Sequence, residues 1–202
     1  MIGILKRLIL AAAFIFSPQL VWAASARPCE AEMVRASKRH NVPLAVLYAV
    51  GLTESGRQGS LQPFAMNVEG RTVHSATLEQ AQAQFAEAHQ MGAKLIDVGC
   101  MQVNHHFHGE HFPSLAAMFD PARNVNYAAR FLRLLHQREG GWTMAVARYH
   151  AGPANHAAHK VYICRVIKNM IASGFGARTQ QAADYCAFPS APASWTPLKD
   201  IP

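Results

Sequence analysis

Several patterns that mark common classes of protein are absent from this sequence. It contains no Cys-X-X-Cys pair, which weighs against a cysteine-based zinc site or redox motif. Its apolar run from Leu8 to Phe16 is too short to cross a membrane comfortably. The basic residues are scattered and form no compact block with aromatic residues, so no nucleic acid partner is expected. We also find no internal repeat and no second domain.

The N-terminal residues have the composition of an export signal. Lys6 and Arg7 precede the apolar run, and small residues allow cleavage after Ala23, with Ala26 as the alternative. We therefore predict a signal peptide over residues 1–23 and a mature protein in the periplasm, without stable membrane insertion. A retained anchor is the alternative.

The rest of the chain is long enough for one domain with a sizeable core. The full sequence has 19 Lys and Arg residues against 12 Asp and Glu residues, a formal net charge of +7. A basic exported protein suits an anionic polymer such as a bacterial cell wall.

Four cysteines can form up to two disulfides in an oxidising compartment, with three possible pairings. Cys29 lies at the start of the domain, and Cys164 and Cys186 lie at its end. We therefore predict one bridge from Cys29 to a C-terminal partner. Cys100 lies in an apolar block and is expected to be a buried free thiol.

Helical signals dominate, and they predict a mainly α domain over residues 24–175. The expected helices cover residues 30–40, 43–54, 77–92, 120–140, 142–150 and 157–173. In the fourth helix, one stripe is expected to face the core: Val125, Ala128, Phe131, Leu132 and Leu135. Turn residues in 57–74 predict an extended loop or a short hairpin, and residues 176–202 predict a flexible, proline-rich tail.

Glu54, in the segment AVGLTESG, is the candidate catalytic residue. It shares one face of its predicted helix with Leu44, Leu47 and Gly51. Burial and the negative end of the helix dipole should both raise the pKa of this carboxyl group. A carboxylic acid that stays protonated near neutral pH is what general-acid cleavage of a glycosidic bond requires. The alternative is a helix-terminal glutamate that points into water.

Three further blocks accompany this segment: PFAMNVEG at 63–70, DVGCMQVN at 97–104 and ARYHAGP at 147–153, followed by Tyr162 in VYICRV. Taken singly, the Met-Gln pair is typical of core packing and Tyr149 of a partly buried helical residue. Their order and spacing together resemble the soluble lytic transglycosylase family, whose fold is similar to that of goose-type lysozyme. The resemblance spans roughly residues 29–170. It implies a lysozyme-like single domain with a glycan-binding cleft and a small loop or hairpin insertion.

The resemblance assigns roles to individual residues. Glu54 matches the catalytic acid and base. The residues expected to bind the substrate are Ser55, Met101, Gln102, Asn104, Tyr149, His150 and Tyr162. Two positions depart from the family pattern, because Cys100 replaces a usual leucine or similar residue and His150 replaces a frequent asparagine. No cofactor and no metal are implied.

In that family one glutamate protonates the oxygen between N-acetylmuramic acid and N-acetylglucosamine. The substrate's acetamido group stabilises the positive centre, and the glutamate then takes the proton of the 6-hydroxyl as a 1,6-anhydro ring closes. The resemblance thus implies a peptidoglycan lytic transglycosylase, a lyase that consumes no water.

Two alternative functions fit the same residues. A hydrolytic muramidase would use Asp97 or Glu69 to activate water, although Asp97 is also expected to cap a short helix. A wall-binding assembly factor without essential catalysis would need no such acid.

Residues 58–97 resemble the insertion of a subgroup linked to envelope machines such as flagella and secretion systems. This resemblance implies local wall opening during assembly of such a machine, with one of its components as a partner. It also places Asn67 and Glu69 in an added wall of the cleft.

A histidine-rich segment, NHHFHGEH, follows the third block. We expect His105, His106, His108 and His111 on a loop at the rim of the cleft. A metal site is the lesser alternative, because the spacing is not that of a His-Glu-X-X-His motif.

Overall fold

The computed structural model describes residues 27–151 and 155–187. The helices in this part are α1 (Pro28–His40), α2 (Leu44–Ser55), α3 (Leu78–Gln90), α4 (His105–His108), α5 (Leu115–Phe119), α6 (Pro121–Glu139), α7 (Trp142–His150), α8 (His156–Ala172) and α9 (Gln180–Ala187). The strands are β1 (Gly56–Arg57), β2 (Ser60–Leu61), β3 (Ala65–Val68), β4 (Arg71–His74), β5 (Ile96–Val98) and β6 (Val103–Asn104). The mainly α prediction is confirmed. The predicted signal peptide lies outside the described residues.

Helix α2 is the centre of the core. Its residues are apolar on more than one face, including Val46, Leu47, Ala49 and Val50, which are fully buried. A helix that is hydrophobic almost all round is stable only when other elements surround it. Here α2 packs against α1 and α8, while α6 packs against α1 and α7. The residues at the C-terminal end of α2 are therefore held by packing on several sides.

Helix α6 follows its predicted pattern closely. Asp120 caps its N-terminus by accepting a hydrogen bond from the Arg123 backbone N–H, and Gly140 ends it in a left-handed conformation. Four of the five residues of the predicted stripe are buried in the core. Phe131 is only half-buried, because it faces a cleft rather than the core.

The segment predicted as a loop or short hairpin forms part of a four-stranded antiparallel sheet with the order β4-β3-β5-β6. The turn between β3 and β4 contains Glu69 and Gly70, both with positive φ, which suits a tight hairpin. Asp97, expected to cap a helix, instead lies in the middle of β5. Local pattern could not show this, because a three-residue strand is stabilised by partners distant in sequence.

The disulfide prediction was wrong. Cys29 pairs with Cys100, at a Cα–Cα distance of 5.8 Å, and Cys164 pairs with Cys186. Cys100 is therefore not a free thiol, and Cys29 has no C-terminal partner. Cys29 and Cys100 are both fully buried in the core, which brings the two together across 71 residues of chain.

The second disulfide changes the description of the C-terminal region. It joins α8 to α9, a helix that was not predicted. Residues 180–187 were expected in a flexible tail, and the tail prediction is corrected there. The remainder of that predicted tail, residues 188–202, lies outside the described residues.

Candidate active site

The candidate site is a cleft of about 550 Å³ between the sheet and the helices α4, α6 and α7. Its described lining is Glu54, Asn67, Glu69, Gly70, Leu95, Asp97, Gln102, Val103, Asn104, Phe107, His108, Tyr127, Phe131, Arg148, Tyr149, His150 and Ala151. Glu54 faces this cleft, so the alternative that it points into bulk water is not supported.

Glu54 is the penultimate residue of α2, and the residue is partly buried. The Tyr162 hydroxyl, from α8, donates a hydrogen bond of 2.5 Å to Glu54 Oε1. This contact fixes one oxygen of the carboxyl group. The other oxygen, Oε2, is the one left to carry a proton toward a bound substrate.

Burial raises the pKa of Glu54 to about 8, and the negative charge of Asp97 adds to this effect. The hydrogen bond from Tyr162 acts in the opposite direction, because it favours the charged carboxylate. Glu54 is therefore mostly protonated at neutral pH. A protonated carboxyl group in a cleft can act as a general acid.

A row of polar side chains crosses the sheet beside Glu54. The strand register pairs Asn67 of β3 with Asp97 of β5, and Asp97 with Asn104 of β6. Residues directly opposite one another on neighbouring strands project to the same face of a sheet, and all three line the cleft. The Asn104 amide donates to Asp97 Oδ1 at 2.6 Å. Asn67 and Glu69 thus lie in a cleft wall, as the insertion predicted.

The Asp97 carboxyl group has a raised pKa because it is largely buried, although the Asn104 hydrogen bond partly offsets the shift. Asp97 and Glu54 line the same cleft and repel each other when both are ionised. The cleft therefore contains a second carboxyl group, that of Asp97, which is close enough to raise the pKa of Glu54.

The Gly99–Gln102 turn connects this wall to the core. The Ser55 hydroxyl donates to the Cys100 carbonyl at 2.6 Å. The Gln102 side-chain amide donates to the carbonyls of Ala65 and Gly99. Gln102 also has a left-handed backbone, with φ of 46°, which is uncommon for a residue with a side chain.

Not all of the predicted substrate-binding residues belong to the lining of the cleft. Ser55 and Met101 are buried and do not belong to the lining of the cleft. The Ser55 hydroxyl and the Met101 backbone make hydrogen bonds that hold the turn in place. Gln102 and Asn104 do line the cleft, although the side-chain amide of each already donates to a protein partner.

The helical wall contains the other predicted residues. The Tyr149 hydroxyl donates to the Met101 carbonyl at 2.7 Å, which ties α7 to the turn. His150 is exposed at the cleft, and its ring stacks on Tyr162 with centroids 4.2 Å apart. Tyr162 itself is buried and does not line the cleft, and its hydroxyl contacts Glu54.

The family model described as the transglycosylase SLT domain matches residues 33–163, more than half of the chain. The chain belongs to the SLT transglycosylase family. No curated protein and no solved structure gives a significant match. Family membership supports lytic transglycosylase activity on peptidoglycan in general terms, and the lysozyme-like fold that we expected is consistent with this family.

The histidine-rich segment of this SLT domain is partly helical rather than a loop. It forms α4 and a 3₁₀ turn, Gly109–His111, and the side chain of Asn104 caps α4. His108 accepts or donates a hydrogen bond of 2.9 Å with the Tyr127 hydroxyl, and burial lowers the pKa of His108. In the described part of the chain, no three His, Cys, Asp or Glu side chains group as a metal site.

Several residues of the SLT site were not found by sequence reasoning. Phe107 and Leu95 are exposed apolar side chains at the cleft, and Arg148 is a cation in its wall. Arg148 had a signal, since it adjoins Tyr149 in a block already singled out. Phe107 also lies within the histidine-rich segment.

No helix within residues 27–151 and 155–187 is both long and apolar enough to span a membrane.

Asn124 was not predicted to have any role, although its buried side chain makes hydrogen bonds to the backbone beneath the cleft. Its side chain is fully buried, with Oδ1 accepting from the Met101 backbone N–H at 2.8 Å. Its amide nitrogen donates to the carbonyls of Val98 and Met118. An asparagine in an amphipathic helix gives no sequence signal for such a role, because its partners are distant in the chain.

Proposed function

We propose that the protein is a peptidoglycan lytic transglycosylase that cleaves the β-1,4 bond between N-acetylmuramic acid and N-acetylglucosamine. The observation that carries the proposal is Glu54, a carboxyl group with a raised pKa that lines a cleft in an SLT domain. Its chemistry needs no cofactor.

In the first step, Glu54 Oε2 gives its proton to the glycosidic oxygen, and the bond from that oxygen to the sugar C1 breaks. Tyr162 holds Oε1 during this step. The acetamido group of the muramic acid stabilises the positive charge that develops at C1. The leaving strand departs with a hydroxyl group, and Glu54 is now ionised.

In the second step, the 6-hydroxyl of the same sugar attacks C1, and Glu54 takes the proton from that hydroxyl. The new C1–O6 bond closes the 1,6-anhydro ring, and Glu54 returns to its protonated form. The repulsion from Asp97 assists this return, because it disfavours the ionised Glu54. The polar row Asn67, Asp97 and Asn104 and the exposed Phe107 supply surfaces that orient the strand for the intramolecular attack.

Hydrolysis is the second candidate function, and Asp97 is the observation that favours it. Asp97 lies in the same cleft as Glu54, and a pair of carboxyl groups is the usual equipment of glycoside hydrolases. In that reaction an ionised Asp97 would activate water or stabilise the positive centre, and the product would have a reducing end.

Mass spectrometry of digested sacculi separates the two functions. We expect the wild-type protein to release fragments that end in 1,6-anhydro-muramic acid, and Asp97→Asn to give the same fragments. Reducing ends from the wild type, lost in Asp97→Asn, would establish hydrolysis instead.

The site of action that we propose is the periplasm, where the protein would open the wall locally for an envelope-spanning machine. The export signal predicted over residues 1–23 supports the location, and so do four cysteines paired in two disulfides. The insertion that forms the sheet wall supports the link to such a machine. A variant of the protein without residues 1–23 tests the location. We expect cells that produce only this variant to lose wall opening, and a heterologous export signal fused to it to restore wall opening.

A further inference from the structure

Arg148 is the only lysine or arginine among the described residues that line the cleft. It lies on α7, directly before Tyr149 and His150. Its side chain is only 15% exposed, so the guanidinium is a largely buried cation in the wall of the site. A buried cation is costly unless an anion compensates it.

The protein compensates this charge incompletely. Arg148 Nε lies 3.4 Å from Glu139 Oε1, and the same oxygen already accepts a hydrogen bond from Arg138 Nε at 2.9 Å. Within the described part of the chain, the Nε and Nη1 atoms of Arg148 are buried and donate no hydrogen bond. A guanidinium has five N–H donors, in a planar fork that matches a carboxylate.

The charges of the cleft are separated between its two sides. The carboxyl groups of Glu69 and Asp97 lie on the sheet side, whereas Arg148 lies on the helical side. Glu54, which is mostly protonated at neutral pH, adds little negative charge. An anionic group on a ligand is therefore repelled from the sheet and attracted to α7.

We propose that Arg148 binds a carboxylate on the muramic acid substituent of the strand, which in intact wall is a carboxylate of the peptide stem. The inference rests on the function proposed above and names a specificity determinant for it. The sugar rings carry no carboxylate of their own, because the lactyl group of muramic acid is amide-linked to the stem. Arg148 thus distinguishes strands that carry stems from neutral glycans of the same length.

Binding to the full-length Glu54→Gln protein tests this without turnover. The ligands are three oligosaccharides of equal length: strands with stems, strands stripped of stems by an amidase, and chitooligosaccharide. Stripping leaves a lactyl carboxylate, and chitooligosaccharide has no carboxylate at all. Isothermal titration gives the Kd for each.

We expect Arg148→Gln, added to this background, to raise the Kd for strands with stems about tenfold, the effect of losing a charged hydrogen-bond partner. The Kd for chitooligosaccharide should stay within about twofold, since no carboxylate is lost. Arg148→Lys should restore part of the affinity, because it keeps the charge but not the fork. Equal dependence on Arg148 for stripped strands would identify the lactyl carboxylate as the bound group and would still support the proposal.

Two controls separate this role from a structural one. Glu139→Gln removes the ion pair and keeps the guanidinium, so the preference for stems should persist. Arg123→Gln removes one exposed positive charge outside the cleft and should leave all three Kd values unchanged. The proposal is overturned if Arg148→Gln raises the Kd for chitooligosaccharide as much as the Kd for strands with stems. It is also overturned if Arg148→Gln raises neither Kd. If binding behaves as expected but the wild type releases no anhydro ends, only the proposed reaction fails.

Discussion

Glu54→Gln should lower the rate of peptidoglycan cleavage by about 10³-fold or more, because one residue supplies both the acid and the base of the reaction. Glutamine keeps the size of the side chain, and its carbonyl oxygen can still accept the hydrogen bond from Tyr162. It cannot exchange a proton with the glycosidic oxygen. Release of soluble fragments from purified sacculi, followed over time, measures the loss.

Tyr149→Phe is the matched comparison within the same cleft. It removes one hydrogen bond, from the Tyr149 hydroxyl to the Met101 carbonyl, which is worth about 1 kcal/mol. The expected loss of rate is therefore less than about tenfold. Equal losses in the two variants would contradict the separate roles given to Glu54 and Tyr149.

The stability of Glu54→Gln serves as a check on folding. The difference in stability between the wild type and this variant should depend on pH, and linkage gives the sign of that dependence. The pKa of Glu54 is about 8 in the folded protein, against an ordinary value of 4.5. The wild type therefore loses stability as pH rises from about 4.5 to 8, since the unfolded chain ionises first. Over that window the free energy of unfolding of the wild type should fall, relative to that of Glu54→Gln, by on the order of 4 kcal/mol.

Asn124→Ala should lower the free energy of unfolding by about 3–5 kcal/mol, the largest effect on stability that we expect from a single polar residue here. The change leaves the Met101 N–H and the carbonyls of Val98 and Met118 buried without their partner. It also leaves a cavity behind the turn that carries Gln102. Denaturant unfolding measures the free energy, and the cleavage rate below the unfolding transition should fall as well.

Asn126→Ala is the control for Asn124. It lies two residues further along α6, and its side chain accepts hydrogen bonds from Arg39 and His40 nearer the surface. We expect a loss of less than about 1 kcal/mol and an unchanged cleavage rate, because water can replace those partners. A loss from Asn124→Ala no larger than that from Asn126→Ala would show that the turn does not depend on the Asn124 side chain.

The features that local patterns determine could be predicted from the sequence. The limits of α2, α6 and α7 follow from Pro43, Asp120 and the Gly140-Gly141 pair, and the structure places them within a residue or two of the expected positions. Glu54 could be singled out because its neighbours in the helix are apolar and its companion blocks share an order with a known family.

The features that depend on distant contacts could not be predicted. The Cys29–Cys100 bridge, the strand position of Asp97 and the hydrogen bonds of Asn124 all join segments far apart in the chain. The burial of Ser55 and Tyr162 could not be predicted for a similar reason. A motif places both residues near the site, but only the fold shows that their side chains are buried behind it.

The central claim is that Glu54 is a protonated acid at neutral pH, and a direct titration of its carboxyl carbon by ¹³C NMR tests it. The signal is assigned by its absence from Glu54→Gln. We predict a pKa of about 8, with a cleavage rate that falls as pH rises through the same value. Asp97→Asn should lower the pKa of Glu54 and Tyr162→Phe should raise it, because the first removes a repelling charge and the second a donor to the carboxylate. A pKa for Glu54 near its ordinary 4.5, unmoved by either variant, would contradict the account.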